Sequence, residues 1–377
     1  MPLTNYFKNE ILNFNFGETS YYPSDMSSQL WFGLSLTEVT AEDNGGDTVT
    51  EPTAGSYERM YFCNGLPIMN GLALEYTGKN VTFTVDNTGA LDAGDIVTIA
   101  GVNIGFSVTN IDGTWVLTNV GGGGQLSFTV ANQPVGATPQ TLSVGTARCA
   151  NWSESTAGSL YNNKTVTFDP SGAGDPWSTP GAPIVSVFIA DAQIGGAFNV
   201  LSFYTLPYPL VVPELTTVSL PVQSILVSEP ITNGTLFTTN RVLNYNFGGV
   251  PYIPDDGSNQ LYFGLSTTVV TAAGLSTVTE PPAAAGYSRF TISNTGSGWN
   301  ASTGVNPPSG VTNIPVVDFC PSPPPSASWG VVRSYFISDS AAIGAGNILW
   351  YKTLSPSIII QESMGDIYFG TSVITIL

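Results

Sequence analysis

Along much of this chain polar and apolar residues alternate in short runs. Asn80-Val81-Thr82-Phe83-Thr84-Val85, Asp95-Ile96-Val97-Thr98-Ile99 and Gln125-Leu126-Ser127-Phe128-Thr129-Val130 each place an apolar residue at every second position. That period lines one face of a half-buried strand. Gly94-Asp95, Asp112-Gly113 and the run Gly121 to Gly124 punctuate these strands as turns. Gly121 to Gly124 has no following Lys or helix, so it reads as a hairpin tip and not a phosphate loop. Elsewhere short runs rich in Thr, Val, Tyr and Phe are broken by Gly or Pro, as in sandwiches and barrels. Two stretches depart from alternation: Gln29-Leu30-Trp31-Phe32-Gly33-Leu34-Ser35 and Gln260-Leu261-Tyr262-Phe263-Gly264-Leu265-Ser266. Consecutive apolar residues predict a strand covered on both faces. A mid-strand glycine, Gly33 or Gly264, predicts a bulge or a close backbone contact. One helix is predicted over Asn5 to Asn13, with Phe7, Ile11 and Leu12 on one side, and a matching piece over Leu236 to Leu243. Val211 to Gln223, holding Pro213 and Pro221, reads as a last strand running into a linker.

These two stretches belong to an internal repeat, which resets the domain reading. Leu12-Asn13-Phe14-Asn15-Phe16-Gly17 recurs as Leu243-Asn244-Tyr245-Asn246-Phe247-Gly248, an offset of 231. Glu51-Pro52 and Tyr57-x-Arg59 recur as Glu280-Pro281 and Tyr287-x-Arg289. Phe188-Ile189-Ala190-Asp191, Asn199-x-Leu201 and Thr205-Leu206 then match Phe336-Ile337-Ser338-Asp339, Asn347-x-Leu349 and Thr353-Leu354, at an offset of 148. The difference between 231 and 148 leaves 83 net extra residues inside the first copy. The expectation is an all-β chain of two tandem sandwich- or barrel-like repeats. The first repeat is 1–74 plus 148–228, the inserted small β domain 75–147, and the second repeat 229–377.

Composition narrows the function. Only 10% of the 377 residues are charged, against about 25% in ordinary domains, so neutral polar groups, turns or burial against partners must cover the surface. A net charge of −18 with nine scattered Lys and Arg offers no basic stripe for nucleic acid. The acidity serves solubility or docking onto a basic partner surface. The chain has no histidine, the side chain most used as general base and metal ligand. Cys63, Cys149 and Cys320 are odd in number and lack CxxC spacing, so neither a zinc site nor a disulfide framework is indicated. Cys63 and Cys149 flank the insertion and could pair, but buried free thiols are the expectation. The N-terminus shows no secretory signal pattern and no stretch approaches 18 apolar residues, so membrane insertion is not expected.

The repeated positions Tyr57, Arg59, Asp191, Tyr287, Arg289 and Asp339 are the candidate site residues. Tyr and Arg two apart share a strand face, where the Arg would lie over an aromatic ring or pair with Glu51 or Glu280. Asp191 and Asp339 precede Gly-bearing turns, which Asp caps through its own side chain. One such Asp per repeat is not the carboxylate pair that a glycosidase needs. Asp255-Asp256-Gly257-Ser258-Asn259 lacks the acidic ladder and closing Glu of a calcium loop and reads as a surface turn. No catalytic, cofactor or metal residue is assigned, and the chain is expected not to be an enzyme.

Tyr252-x-Pro254, Leu261-Tyr262-Phe263-Gly264-Leu265-Ser266, Glu280-Pro281, Gly286-Tyr287-Ser288-Arg289, Trp329-Gly330, Asp339 and Asn347-Ile348-Leu349 resemble a β module of tailed-phage virion proteins. The first copy departs from it at Ser56, where the module has Gly, and at Trp177, which lacks a following Gly. Gly94-Asp95-Ile96-Val97-Thr98-Ile99-Ala100-Gly101, followed by Gly113-Thr114-Trp115-Val116-Leu117-Thr118, resembles a small β module of phage fibre and adhesin proteins. The resemblance implies a structural protein on the outside of a virion, made in the host cytoplasm. The leading expectation is a capsid decoration or cement protein, a homotrimer bound to the major capsid protein. The alternative is a tail, neck or head-fibre protein contributing to host adhesion, with a host-surface glycan as a further partner.

Overall fold

In the computed structural model, residues 29–228 and 260–376 are described apart from 42–48, 64–68, 89–90, 103–110, 133–139, 142–144, 154, 156–157, 194–197, 295–297, 301–310, 320–324, 364–367 and 371–374. Thr4, Phe7, Lys8, Ile11, Thr238, Thr239, Asn240 and Val242 are described as well. The Asp255 turn, its counterpart around Asp25, and Cys320 lie outside these residues.

The two non-alternating stretches form β1 (Gln29–Ser35) and, in the second half, its counterpart. β1 pairs antiparallel with β2 (Met60–Cys63), Trp31 opposite Tyr61. The chain then enters β3 (Met69–Thr77), β4 (Asn80–Val85), β5 (Ile96–Ala100), β6 (Gly113–Gly121), β7 (Gln125–Thr129), the short β8 (Gln140–Thr141) and β9 (Thr146–Cys149). Their order is β4-β7-β6-β5-β9-β3, and β3 pairs again with β4, which closes a six-stranded barrel with β8 appended to β3. Closure works because the alternation puts Val81, Phe83, Val97, Ile99, Leu126 and Phe128 inside, all buried in one cluster. The barrel opens earlier than residue 75, since β3 begins at Met69 and pairs Asn70 with Thr146 of β9.

After the barrel come β10 (Ser159–Tyr161), β11 (Val166–Phe168), β12 (Ile184–Ala190), β13 (Val200–Leu210), β14 (Val218–Leu220) and β15 (Leu226–Ser228). β12 returns to β1, giving a sheet β13-β12-β1-β2, while β10–β15 and β11–β14 form two short ladders. Leu30, Phe32 and Leu34 of β1 share one core with Leu160, Phe168, Val218 and Val227 of those ladders. Trp31 packs on the opposite face with Phe188, Ala190 and Val200, so both faces of β1 are covered. The prediction for Val211 to Gln223 needs correcting. Val212 is fully buried and β14 pairs with β11, so the segment is part of the first core and not a linker. Its prolines separate short strands there without ending the domain.

The second half holds a four-stranded sheet of corresponding strand order. β16 (Gln260–Ser266), β17 (Phe290–Ser293), β18 (Trp299–Asn300), β19 (Val311–Asn313), β20 (Val317–Asp318), β21 (Gly330–Ser338), β22 (Ile348–Ile360), β23 (Tyr368–Phe369) and β24 (Thr375–Ile376) give the sheet β17-β16-β21-β22 and the ladders β18-β19-β24 and β20-β23. Strand registers correspond: Gly33 lies opposite Phe188 and Gly264 opposite Phe336. In each sheet the glycine marks a close contact, since a Cβ would sit 2.2 Å from Phe188 Cζ or 2.3 Å from Phe336 Cζ. Trp299, Phe263, Phe336 and Trp350 are 0–2% exposed, and each such buried side chain contributes roughly 1.5–3 kcal/mol. Phe7, Lys8 and Ile11, and again Thr238 to Asn240 and Val242, are helical. Among the described residues the fold is all-β with these short exceptions and two 3-10 turns, Gly274–Thr277 and Ala283–Ala285.

Candidate functional site

Tyr57 and Arg59 sit just before β2, and Tyr287 and Arg289 just before β17, rather than inside a strand. Each pair is still on one face, because the residue between them is exposed and both partners are buried. Ala283–Ala285 and Gly286, whose φ is 85°, deliver Tyr287 inward. A left-handed φ suits glycine, which has no Cβ to clash. At the corresponding place in the first repeat Ser56 is held from outside: its N–H donates to Asp175 at 2.8 Å, and its Oγ meets Gly172 N at 2.9 Å and Trp177 Nε1 at 3.0 Å. That explains how the first copy departs from the module without losing the turn. Trp177 also stands edge-on to Tyr57 at 5.6 Å, as Trp329 stands to Tyr287 at 5.2 Å.

Around these residues a buried clamp forms twice. Arg59 donates to Glu51 at 2.6 and 3.0 Å and to the Ala192 carbonyl at 2.6 Å. Arg289 donates to Glu280 at 2.6 and 2.9 Å, to the Ser340 and Ala345 carbonyls, and to Ser338 Oγ. Such two-pronged contacts are the strong form of the ion pair. The tyrosine hydroxyls donate to the same carboxylates, at 2.8 Å for Tyr57 and 3.0 Å for Tyr287, and accept the N–H of Leu34 and Leu265. Burial, then the Glu51 or Glu280 charge, holds both hydroxyls protonated well above the usual tyrosine range. Of the two contacts predicted for the arginines, both occur together. The rings come from elsewhere in the chain, Phe198 just before β13 at 3.6 Å from the Arg59 guanidinium and Phe336 of β21 at 5.2 Å from that of Arg289.

Asp191 and Asp339 are fully buried. Each accepts the backbone N–H and the side-chain amide of an asparagine across the turn, Asn199 at 2.7 and 2.8 Å and Asn347 at 2.6 and 2.8 Å. The aspartates thus cap the loops whose carbonyls the arginines hold. Clamp and cap form one buried network in each half of the chain, whose visible work is to fix the end of a hairpin.

A further buried charge escaped the sequence reading. Gly94-Asp95 looked like a turn, yet Asp95 is fully buried and takes Lys164 Nζ at 2.6 Å and Asn151 Nδ2 at 3.0 Å. Lys164 lies between β10 and β11, so this pair ties the barrel to the first sheet's ladders. Only its rarity, one of nine basic residues, could have drawn notice. Nearby, Cys63 and Cys149 are buried free thiols, the Cys149 thiol donating to the Cys63 carbonyl at 3.6 Å. Burial, then contact with Cys63, raises the Cys149 pKa. A cleft of about 420 Å³ opens beside Arg59 and Lys164. Glu58, Asp92, Asp169 and Gln193 contribute polar surface to it.

No helix among the described residues is long and apolar enough to cross a membrane. No curated protein matches the chain. Residues 235–371 match the family described as Podophage GP4 fiber I protein gp80, which supports a phage virion protein of fibre type.

Proposed function

We propose that this chain is a non-enzymatic building block of a phage fibre or neck appendage, present in several copies and exposed on the outside of the particle. The observation that carries this is the match of the second repeat to a podophage fibre family. The buried networks agree with it, since Glu51, Glu280, Asp191 and Asp339 are all engaged in holding loops. The partners proposed are other virion proteins, further copies of the chain, and a host-surface glycan. Decoration of the capsid shell is the second reading, favoured by a charge content of only 10%, which suits burial between subunits. Gold-labelled antibody against the barrel, with a copy count by mass spectrometry, separates the two. The expected result is label confined to appendages at low copy number. Label spread over the whole head, in step with the capsid lattice, would overturn the fibre reading in favour of decoration.

The domain layout belongs to the same proposal: one sandwich unit occurs twice, and the first copy is split by the barrel. Matching strand orders and registers support it. Asn70 and Thr146 face each other in the β3–β9 ladder, so a short turn can replace everything between them. The excised chain is expected to unfold in a single cooperative transition with β-type circular dichroism. An excised chain that aggregates or gives no transition would mean that the barrel is part of the first core.

A further inference from the structure

β13 and β22 are the outer strands of the two four-stranded sheets. The start of each is covered from the same direction. Thr4 donates from its hydroxyl to the Val200 carbonyl and from its N–H to the Leu201 carbonyl at 2.9 Å, and the Thr238 hydroxyl donates to the Leu349 carbonyl at 2.6 Å. Beyond that point both strands bulge at equivalent places. Leu206 to Pro209 stand against the single residue Val185, and Leu354 to Ser357 against Arg333. The bulges differ in chemistry. The second is Leu-Ser-Pro-Ser, whereas the first displays Tyr208, 83% exposed, in a stretch that also exposes Tyr204 at 47%, Leu210 at 40%, Val211 at 39% and Leu215 at 69%.

Single exposed apolar residues are ordinary, but a contiguous run of them marks a contact surface. Leu215 extends this apolar run into the following turn. Its φ is 58°, a left-handed conformation that glycine or asparagine adopts with less strain. Its N–H donates to the Ser171 carbonyl at 2.9 Å, and Ser363, at the matching place in the second half, has the same φ of 58°, so the turn is set by the fold and only the exposed leucine there is particular to the first half.

Charge indicates the occupant. From Val200 to Leu215 the one charged residue is Glu214, whose carboxylate accepts the Gly174 N–H, and from Ile348 to Gln361 only Lys352, in a chain of net charge −18. Two copies of this chain repel each other over most of their surface and least along these two edges. A basic partner would be drawn to the acidic remainder instead. Pro207 and Pro209 lack N–H donors, so the contact cannot be a continuous added strand. It must be side-chain packing, with Tyr208 as a rigid aromatic anchor. We propose that the stretch Tyr204 to Leu215 is a docking surface for a second copy of this chain, which meets it with its own uncharged sheet edge. The proposal rests on the multi-copy reading above, but its test is separate from where the protein sits on the particle.

The test is light scattering coupled to size exclusion on the full chain, with Tyr208→Asp, Leu215→Asn and, as a control, Val116→Asp at an exposed barrel position. Wild type and Val116→Asp are expected to run as the same dimer or trimer. Tyr208→Asp and Leu215→Asn are expected to dissociate, with a dissociation constant raised at least about tenfold. Asparagine suits the left-handed site, so Leu215→Asn should melt no lower than wild type, which separates lost docking from lost folding. A wild-type monomer at micromolar concentration, or variants that keep the wild-type mass, would overturn the proposal. Variants that dissociate while antibody labels the capsid shell would leave the docking surface standing and sink the fibre reading alone.

Discussion

Replacing Arg289 with methionine lowers the stability of the second repeat by about 3–5 kcal/mol, the cost of stranding a buried charge. The Arg289 side chain is fully buried and that of Glu280 is 2% exposed, so Glu280 would lose its partner without gaining water. The loop from Asp339 to Asn347 would also lose the donor that holds the Ser340 and Ala345 carbonyls. Arg59→Met is expected to cost less, because Glu51 is 12% exposed and can be partly solvated. The double variant Glu280→Leu with Arg289→Met should recover part of the loss, since the remaining charge disappears as well. Urea unfolding reads all four proteins. A loss below about 1 kcal/mol for Arg289→Met, the range of exposed pairs, would show that the clamp is solvated and is not a buried network.

The second large effect concerns the glycines inside the two central strands. In Gly264→Ala the new methyl would lie 2.3 Å from Phe336 Cζ and 2.5 Å from Cε2, closer than non-bonded carbons approach. The ring is packed in turn against Val270 and Ile348 and lies 5.2 Å from the Arg289 guanidinium. It cannot swing aside without disturbing the clamp. The expected cost is about 3 kcal/mol, the upper part of the range for overpacking, and Gly33→Ala against Phe188 should behave alike. Adding Phe336→Leu makes room, so the double variant should be more stable than the sum of the two single losses predicts. Strict additivity would mean that the methyl and the ring never meet.

Both predictions follow from residues already conspicuous in the sequence. Repetition singled out Tyr287-x-Arg289, and a glycine within an apolar run announced a close approach. Their chemistry was legible as a choice between ring and carboxylate. That both are used, with Phe198 and Phe336 as the rings, depends on segments far away in the chain. The cap by Asp191 and Asp339 was readable because an aspartate before a turn hydrogen-bonds locally. Its partners Asn199 and Asn347 stand in the repeat as well. Asp95 was not readable: a Gly-Asp pair is the ordinary signature of an exposed turn, and its burial comes from Lys164 and Asn151 arriving from another part of the fold.

By itself the sequence determined the all-β class, the alternating strands between residues 80 and 130, the hairpin tip at Gly121 to Gly124 and the positions that recur between the halves. These depend on side-chain period and turn chemistry, which are properties of neighbours along the chain. Only the tertiary structure decided that the strands from Met69 to Cys149 close as a barrel and that Val211 to Gln223 returns to the first core. Each of these turns on pairings between distant strands, such as Trp31 with Ala190 or Phe168 with Val218. A period of two tells which face of a strand is apolar, but the same face can be buried by many partners, and the choice is made by how the whole chain packs.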